Sequence, residues 1–184
     1  VPLAEFSNRV QSDLDFAVDI ADAELAARVA AELGIPVTTD YQGEPLVQGG
    51  FTGNLLAKLG RLNAANLGIA DLSGFQYAIN VEALALSGNN LADADLLNLT
   101  PARDNLGRPT GMLALEHLSL DENSFITSFY SDYDGDGLAD ASGLSLIGGI
   151  TSLKSLSLDA NLIYDVAGTT IGEREFGAPL APLT

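Results

Sequence analysis

Residues 81–91 of this chain read VEALALSGNNL, and their pattern decides the fold because it recurs three more times. Apolar residues stand at positions 1, 4, 6 and 11 of the stretch, and Asn stands at position 9. The same spacing returns in LEHLSLDENSF at 115–125, in LKSLSLDANLI at 153–163 and, without the Asn, in LGRLNAANLGI at 59–69. Internal repeats of this size predict a solenoid, because one unit is too small to bury its own apolar face.

The centre of each repeat predicts a short strand. Leu84 and Leu86 alternate with small residues, and a period of two is typical of a strand with one buried face. Stacked units would therefore share a core. An Asn follows three of the four strands where the chain turns away, and its amide can bond to the backbone of neighbouring turns. We therefore expect a buried ladder of structural side chains at Asn89, Asn123 and Asn161.

These repeats resemble the leucine-rich repeat family, and in particular the short-repeat, internalin-like type of bacterial surface protein. The resemblance covers residues 55–170 and implies an α/β solenoid with a parallel β-sheet on its concave face. Successive repeats begin 22, 34 and 38 residues apart, so the last two intervals depart from the family's regular spacing. They indicate insertions near 98–112 and 127–142, which a solenoid can place in the loops between its strands.

The sequence before the repeats predicts a helix. Apolar residues recur every four positions, Asp22 can cap the start and Gly34 can end the helix. A helix at this place resembles the N-terminal cap of bacterial leucine-rich repeat domains, which covers the first open core. We therefore divide the chain into an N-terminal segment with a helical cap, residues 1–54, and a repeat solenoid with insertions, residues 55–184.

The second insertion contains a stretch that is typical of calcium loops. It reads DYDGDGLAD at residues 132–140, and the alternating carboxylates and the Gly at position 6 suit a cation that prefers roughly six to eight oxygen ligands. The motif resembles EF-hand loops and the D-x-D-x-D-G loops of the thrombospondin type. It departs from the EF-hand at Gly143, which replaces the bidentate acid, and a solvated acidic turn is the alternative. The predicted Ca²⁺ ligands are Asp132, Asp134, Asp136, the carbonyl of Leu138, and Asp140.

The strand pattern also predicts which side chains face outward on the concave face. They are small and polar with no aromatic residue among them, so we expect binding there to be weak or to depend on shape. Asp121 and Asp159 take the same position on neighbouring strands, where two carboxylates need either a shared cation or solvation. The predicted rows are Arg61, Ala83, His117 and Ser155; Asn63, Ala85, Ser119 and Ser157; and Ala65, Ser87, Asp121 and Asp159.

Composition excludes several classes of function. The chain has 184 residues, with 8 Lys and Arg against 25 Asp and Glu, and its formal net charge is −17. This deficit of cations argues against nucleic-acid binding and against docking to anionic membranes. The chain has no Cys and one His, His117, so disulfides and thiolate sites are excluded and little remains for a zinc site. No run of apolar residues approaches the roughly 18–20 of a membrane helix.

The motifs predict a binding protein rather than an enzyme. Ser119 and His117 stand two residues apart on one strand without a recognisable oxyanion loop, and no carboxylate pair stands out as that of a glycosidase. The family resemblance and the calcium motif together predict a non-catalytic, calcium-binding module for protein recognition or adhesion, extracellular or on the cell surface.

The alternative is a structural subunit that assembles with copies of itself into a filament or a surface layer. After the last repeat the sequence offers no further amphipathic helix, so the edge around Leu156, Leu158 and Ile163 would be open. We expect this edge to be covered by further repeats or by another copy, because an open last turn exposes apolar side chains and an unpaired strand. An enzyme is a remote third reading.

Overall fold

The structure is a computed structural model that describes residues 14–125 and 143–161, together with the backbone of 169–171 and 174–176. The strands are β1 (Ala17–Val18), β2 (Val37–Thr39), β3 (Pro45–Val47), β4 (Phe51–Thr52), β5 (Arg61–Asn63), β6 (Ala83–Ala85), β7 (Ala102–Arg103), β8 (Pro109–Thr110), β9 (His117–Ser119), β10 (Ser155–Ser157), β11 (Thr169–Ile171) and β12 (Arg174–Phe176). The α-helices are α1 (Ala23–Leu33), α2 (Gly53–Leu56) and α3 (Gly143–Gly148), and short 3-10 helices span Phe75–Tyr77 and Asp93–Asn98.

The centre of the molecule is a four-stranded parallel sheet built from the four repeats. Strands β5, β6, β9 and β10 lie side by side in chain order, and each pairs in parallel with the next. The register is the same at every step, so the middle residues of the strands form one continuous row. The predicted parallel sheet of stacked repeats is therefore confirmed.

The apolar core lies directly behind this sheet, and its side chains are buried to different extents along the sheet. The middle residues of β5, β6 and β9 are at most 3% exposed, and Leu86 and Leu120, one residue beyond β6 and β9, are completely buried. In the last repeat, Leu156 and Leu158 are only half-buried. The repeat pattern thus places equivalent side chains in equivalent positions, but within the described residues their burial differs between the inner repeats and the last one.

Helix α1 begins and ends where the sequence predicts. The carboxylate of Asp22 accepts the N–H of Leu25 at 3.0 Å, and Gly34 ends the helix in the left-handed conformation with φ 70°. Leu25 and Val29 are completely buried and belong to the same apolar cluster as the repeats. The helix therefore shares the core of the repeat region.

Small antiparallel hairpins surround the sheet. Strand β1 pairs with β4, β2 pairs with β3 beside α1, and β11 pairs with β12 beside α3. Strands β7 and β8 form a hairpin within the first predicted insertion. The chain leaves this hairpin at Gly111, whose φ is +79°. A Cβ at this position would lie 2.1 Å from the carbonyl oxygen of Thr100, so only glycine fits.

Each repeat turns in the left-handed conformation at the same place, three residues after its strand. The φ angles are 58° at Asn66, 68° at Gly88, 52° at Glu122 and 56° at Ala160. Only one of these four residues is a glycine, so the turn is imposed by the stacking of the repeats rather than by the local sequence.

Candidate binding face of the parallel sheet

The face of the sheet that points away from the core, called the concave face below, collects the outward side chains of all four strands. The register aligns Arg61, Ala83, His117 and Ser155 in one row and Asn63, Ala85, Ser119 and Ser157 in the next. The first two predicted rows are therefore confirmed. Small side chains on β6 leave a hollow of about 460 Å³ that is lined by all four strands.

His117 lies near the middle of this face and is exposed. Its Nδ1 is 2.7 Å from the hydroxyl Oγ of Ser155 on the next strand. The nearest serine on the same strand is Ser119, but the structure brings His117 to Ser155. Facing residues on adjacent strands lie closer together than residues two apart on one strand. No carboxylate among the described residues is hydrogen-bonded to His117, so the pair lacks the third group of a catalytic triad there.

An ion pair borders the face on the side where the strands begin. The ammonium of Lys154 lies 2.7 Å from a carboxylate oxygen of Glu116, and the hydrogen bond that it donates holds the pKa of Glu116 below its ordinary value. Both side chains are more than a third exposed, so this pair contributes little to stability. It places one positive and one negative charge side by side at the border of the face.

Hydroxyl groups and a carboxylate form a connected network on the opposite side of the face. The hydroxyls of Ser87 and Ser119 are 2.5 Å apart, and Ser119 donates to Asp121 at 3.2 Å. The other oxygen of Asp121 accepts the hydroxyl of Ser157 at 2.5 Å and the backbone N–H of Asp159 at 2.7 Å. The Asp121 charge is therefore held by protein donors, and the Asp159 carboxylate is exposed.

The predicted asparagine ladder lies beside this network, and its hydrogen bonds to the backbone are confirmed. The Asn89 amide oxygen accepts N–H groups of Leu67 and Ile69, and its amide nitrogen donates to the carbonyls of Ala64 and Leu86. Each Asn thereby ties its own repeat to the preceding one.

The next two members repeat this arrangement with one difference in burial. Asn123 accepts from Leu91 and donates to Leu86 and Leu120, while Asn161 accepts from Asn123 and donates to Leu120 and Leu158. Asn89 and Asn123 are buried, but Asn161 is only half-buried. The ladder is structural, because the polar atoms of its side chains are hydrogen-bonded to backbone groups.

A second polar cluster, which the sequence did not predict, anchors the first insertion. Asp104 accepts the hydroxyl of Tyr77 at 3.2 Å and the guanidinium of Arg108 at 2.6 Å. The Arg108 guanidinium lies 3.6 Å from the centre of the Phe16 ring, which packs edge-on against Tyr77. These contacts join three distant parts of the chain, so no local motif signals them.

The charges in this cluster shift two pKa values in opposite directions. Burial raises the pKa of the Asp104 carboxyl, but the hydrogen bonds from Arg108 and Leu106 lower it by more, so the net pKa lies below its ordinary value. Burial raises the pKa of the Tyr77 hydroxyl, and the Asp104 charge raises it further. The cluster therefore favours an ionised Asp104 beside a neutral Tyr77.

The predicted calcium loop lies outside the described residues, and so do all of its predicted ligands. The described chain is firmly anchored on both sides of this insertion, because Phe125 before it and Ile147 after it are at most 1% exposed. The donor set in the sequence consists only of carboxylate and carbonyl oxygens, which fits a hard cation such as Ca²⁺. Within the parts of the chain that the structure describes, no other cluster of three acidic or histidine side chains could hold a metal ion.

Among solved structures, two internalins of Listeria monocytogenes are similar to parts of this chain. Internalin C2 of Listeria monocytogenes is 19% identical, with a TM-score of 0.39, and the match covers 80% of this chain and 69% of that one. Another internalin of Listeria monocytogenes, inlF, is 26% identical, with a TM-score of 0.37; the match covers 80% of this chain but only 52% of the length of inlF. No protein-family profile and no curated protein sequence matches the chain. No helix in the described ranges is long and apolar enough to span a membrane.

Proposed function

We propose that this chain is a non-catalytic recognition module that binds a protein partner on the concave face of its parallel sheet. The observation that carries the proposal is the identical register of four strands, which places exposed Arg61, Asn63 and His117 on one continuous surface. A surface built on strands holds its side chains in fixed positions, so it loses little conformational entropy on binding.

The chemistry of the face determines the kind of binding that we propose. Its outward side chains are the methyl groups of Ala83 and Ala85, hydroxyls, an amide, a guanidinium and an imidazole, without the aromatic anchors on which tight interfaces usually rely. We therefore propose that affinity depends on hydrogen bonds and on the shape of the hollow. The arrangement also favours recognition over catalysis, because the exposed His117 and Ser155 pair has no carboxylate partner among the described residues.

We further propose that helix α1 acts as the N-terminal cap of the repeats. Arg28 of this helix donates to the carbonyl of Asn63 at 2.6 Å, and Asp22 accepts the N–H of Ala70 at 3.0 Å. The first bond occupies a carbonyl group that could otherwise pair with a preceding repeat, as the equivalent carbonyl of Ala85 does. The support for a cap is therefore both the shared apolar core and the polar closure at this end.

The proposed setting is the bacterial cell surface or the extracellular space, with Ca²⁺ ordering the second insertion. The support comes from the resemblance of the repeats to surface proteins and from the oxygen-only donor set of Asp132, Asp134, Asp136, Leu138 and Asp140. Calcium at the millimolar concentrations of extracellular fluids would suffice for a loop of this kind, whose affinity we expect in the range of about 10⁻⁴–10⁻³ M.

The test of recognition is a binding screen of the full chain against purified cell-surface proteins, followed by charge reversal. The variant Arg61→Glu with His117→Glu changes the concave face, and Lys58→Glu is the matched control because Lys58 is exposed outside that face. We expect the first variant to weaken a detected partner at least about tenfold and the control to weaken it less than about twofold. Equal losses in both variants, or no partner in the panel, would refute the proposed binding face.

The test of the metal is calorimetry of the full chain with CaCl₂. We expect a single site that is abolished by Asp136→Asn, and slower amide exchange in residues 129–143 when calcium is bound. Glu44→Gln removes one charge from an exposed position on the β2–β3 turn and should leave calcium binding unchanged. The absence of a heat of binding at millimolar calcium would contradict this part of the proposal.

The second candidate function is a self-assembling structural subunit. The observation that favours it is the half-burial of Leu156 and Leu158, whose equivalents in the preceding repeats are buried. Contact between copies at this edge would remove the remaining apolar surface from water. Sedimentation velocity over a hundredfold range of concentration tests it: concentration-dependent growth supports a subunit, and a constant monomer excludes it.

A further inference from the structure

The third repeat shows how a strand of this sheet receives the next one. Its backbone donates the N–H of Leu120 to Ser157 at 2.9 Å and the N–H of Glu122 to Asp159 at 2.8 Å. Its Asp121 carboxylate accepts both the hydroxyl of Ser157 and the N–H of Asp159. The incoming strand therefore meets two backbone donors and one carboxylate, and it provides a hydroxyl and an N–H two residues apart.

The fourth repeat presents the same groups again at the outer edge of β10. Leu158 and Ala160 stand where Leu120 and Glu122 stand, and Asp159 stands where Asp121 stands. In the described part of the chain, nothing pairs with these N–H groups or with the exposed Asp159 carboxylate. The edge thus repeats the donors and the acceptor of an interior junction that already holds one strand.

We propose that the β10 edge binds an extended segment of another protein as a fifth parallel strand. The segment carries Leu at alternate positions, which fill the space beside Leu156 and Leu158. It carries Ser or Thr at the position that faces Ser157, so that this hydroxyl and the N–H two residues later both reach Asp159. The inference rests on the proposed role of the chain as a binding module and adds a second surface to it.

The direction and the source of the strand follow from the same contacts. The segment runs parallel, because the bonds at Asp121 are made to a parallel neighbour. A second copy of this chain cannot donate its own first strand, because Arg28 already occupies the carbonyl of Asn63 and α1 packs against that end. The donor is therefore a segment without such a closure.

The experiment uses the full chain and a synthetic peptide with the sequence of residues 150–163 as the added strand. Binding is measured by fluorescence anisotropy, and amide exchange is followed at Leu158 and Ala160. We expect the peptide to bind and to slow exchange at both amides. We expect Asp159→Ala to weaken binding about tenfold, because it removes an ionised acceptor of two hydrogen bonds. Glu44→Ala removes an equal charge far along the chain and should have no effect beyond a change of about twofold.

A matched peptide keeps the test independent of the folding of any variant. A peptide with Ser157→Ala lacks the hydroxyl and should bind the unaltered chain less tightly, whereas a scrambled peptide should not bind. No binding at about millimolar peptide, or binding that neither Asp159→Ala nor the altered peptide changes, would overturn the proposal. Self-association of the chain that the peptide disrupts would identify a second copy as the occupant and overturn the choice of donor.

Variants of the two surfaces separate this inference from the proposed function. The concave variant Arg61→Glu with His117→Glu should leave peptide binding unchanged, and a saturating amount of the peptide should leave a concave-face partner bound. Failure of the peptide alone overturns the fifth strand, whereas failure of the concave-face screen alone overturns the proposed recognition site.

Discussion

The two ends of the parallel sheet differ more than their repeated sequences suggest. At the β5 end, Leu62 is 2% exposed, and side chains of α1 and of its N-cap residue Asp22 bond to the backbone of the first repeat. At the β10 end, Leu156 is half-buried, and the Asp159 carboxylate is exposed. In the described part of the chain, one pattern of residues thus has two differently covered ends, which we call the closed end at β5 and the open end at β10. The burial of a repeat depends on what packs against both of its sides.

The largest expected effect comes from replacing one leucine by alanine at each end of the sheet. Leu25→Ala empties a completely buried position in α1 and should lower the free energy of unfolding by about 2–5 kcal/mol. Leu158→Ala removes a half-buried side chain and should cost about 1 kcal/mol. Urea denaturation measures both. Equal costs would show that the two ends are equally covered in solution.

The asparagine ladder tests the same difference with polar groups. Asn123→Ala leaves the N–H of Leu91 and two carbonyls without their side-chain partner in a buried place and should cost about 1–3 kcal/mol. Asn161→Ala should cost less than about 1 kcal/mol, because water can reach the groups that it leaves. A larger loss at Asn161 than at Asn123 in thermal denaturation would contradict the open end.

The sequence predicts the parts of the molecule that repeat and misses those that do not. The strands, the ladder and the outward rows follow from the spacing of residues, and α1 follows from its period and its caps. The cluster of Asp104, Arg108 and Tyr77 joins residues up to 31 positions apart, and no periodic pattern marks it. The left-handed turns cannot be recognised from the sequence either, because only Gly88 among their four residues is a glycine.

The candidate binding face was predicted in its composition but not in its contacts. The rows of residues follow from the alternation along each strand. The pairing of His117 with Ser155 and the network around Asp121 depend on which rotamers adjacent strands permit, which the sequence does not specify. The sequence predicts either solvation or a shared cation for Asp121, whereas in the structure its carboxylate accepts hydrogen bonds from two serine hydroxyls and a backbone N–H.

The closed end should also depend on pH in a way that one residue controls. Burial raises the pKa of Asp95, and the nearby charges of Asp71 and Asp22 raise it further. Because the folded-state pKa is the higher one, Asp95 stabilises the fold most when it is protonated, and this contribution is lost as the pH rises through the raised pKa. Relative to Asp95→Asn, the unaltered chain should therefore lose stability as the pH rises from 3 to 7. Urea denaturation at both pH values measures this change, and a difference that is constant with pH would show that Asp95 carries no such penalty.

The smallest effect tests whether anything local distinguishes the interior from the open end. Glu122 and Ala160 both adopt left-handed φ angles, of 52° and 56°, one in the third repeat and one in the last. Glycine relieves about 1–2 kcal/mol of strain in this conformation, and its greater freedom in the unfolded chain offsets part of the gain. Each substitution, Glu122→Gly and Ala160→Gly, should therefore raise the free energy of unfolding by about 0.5–1 kcal/mol. The two gains should be equal, because backbone strain belongs to the turn itself and not to the neighbouring repeat. Urea denaturation measures both, and a gain only at Glu122 would mean that the last turn is already free to leave the left-handed conformation, so that the open end differs in its backbone as well as in its burial.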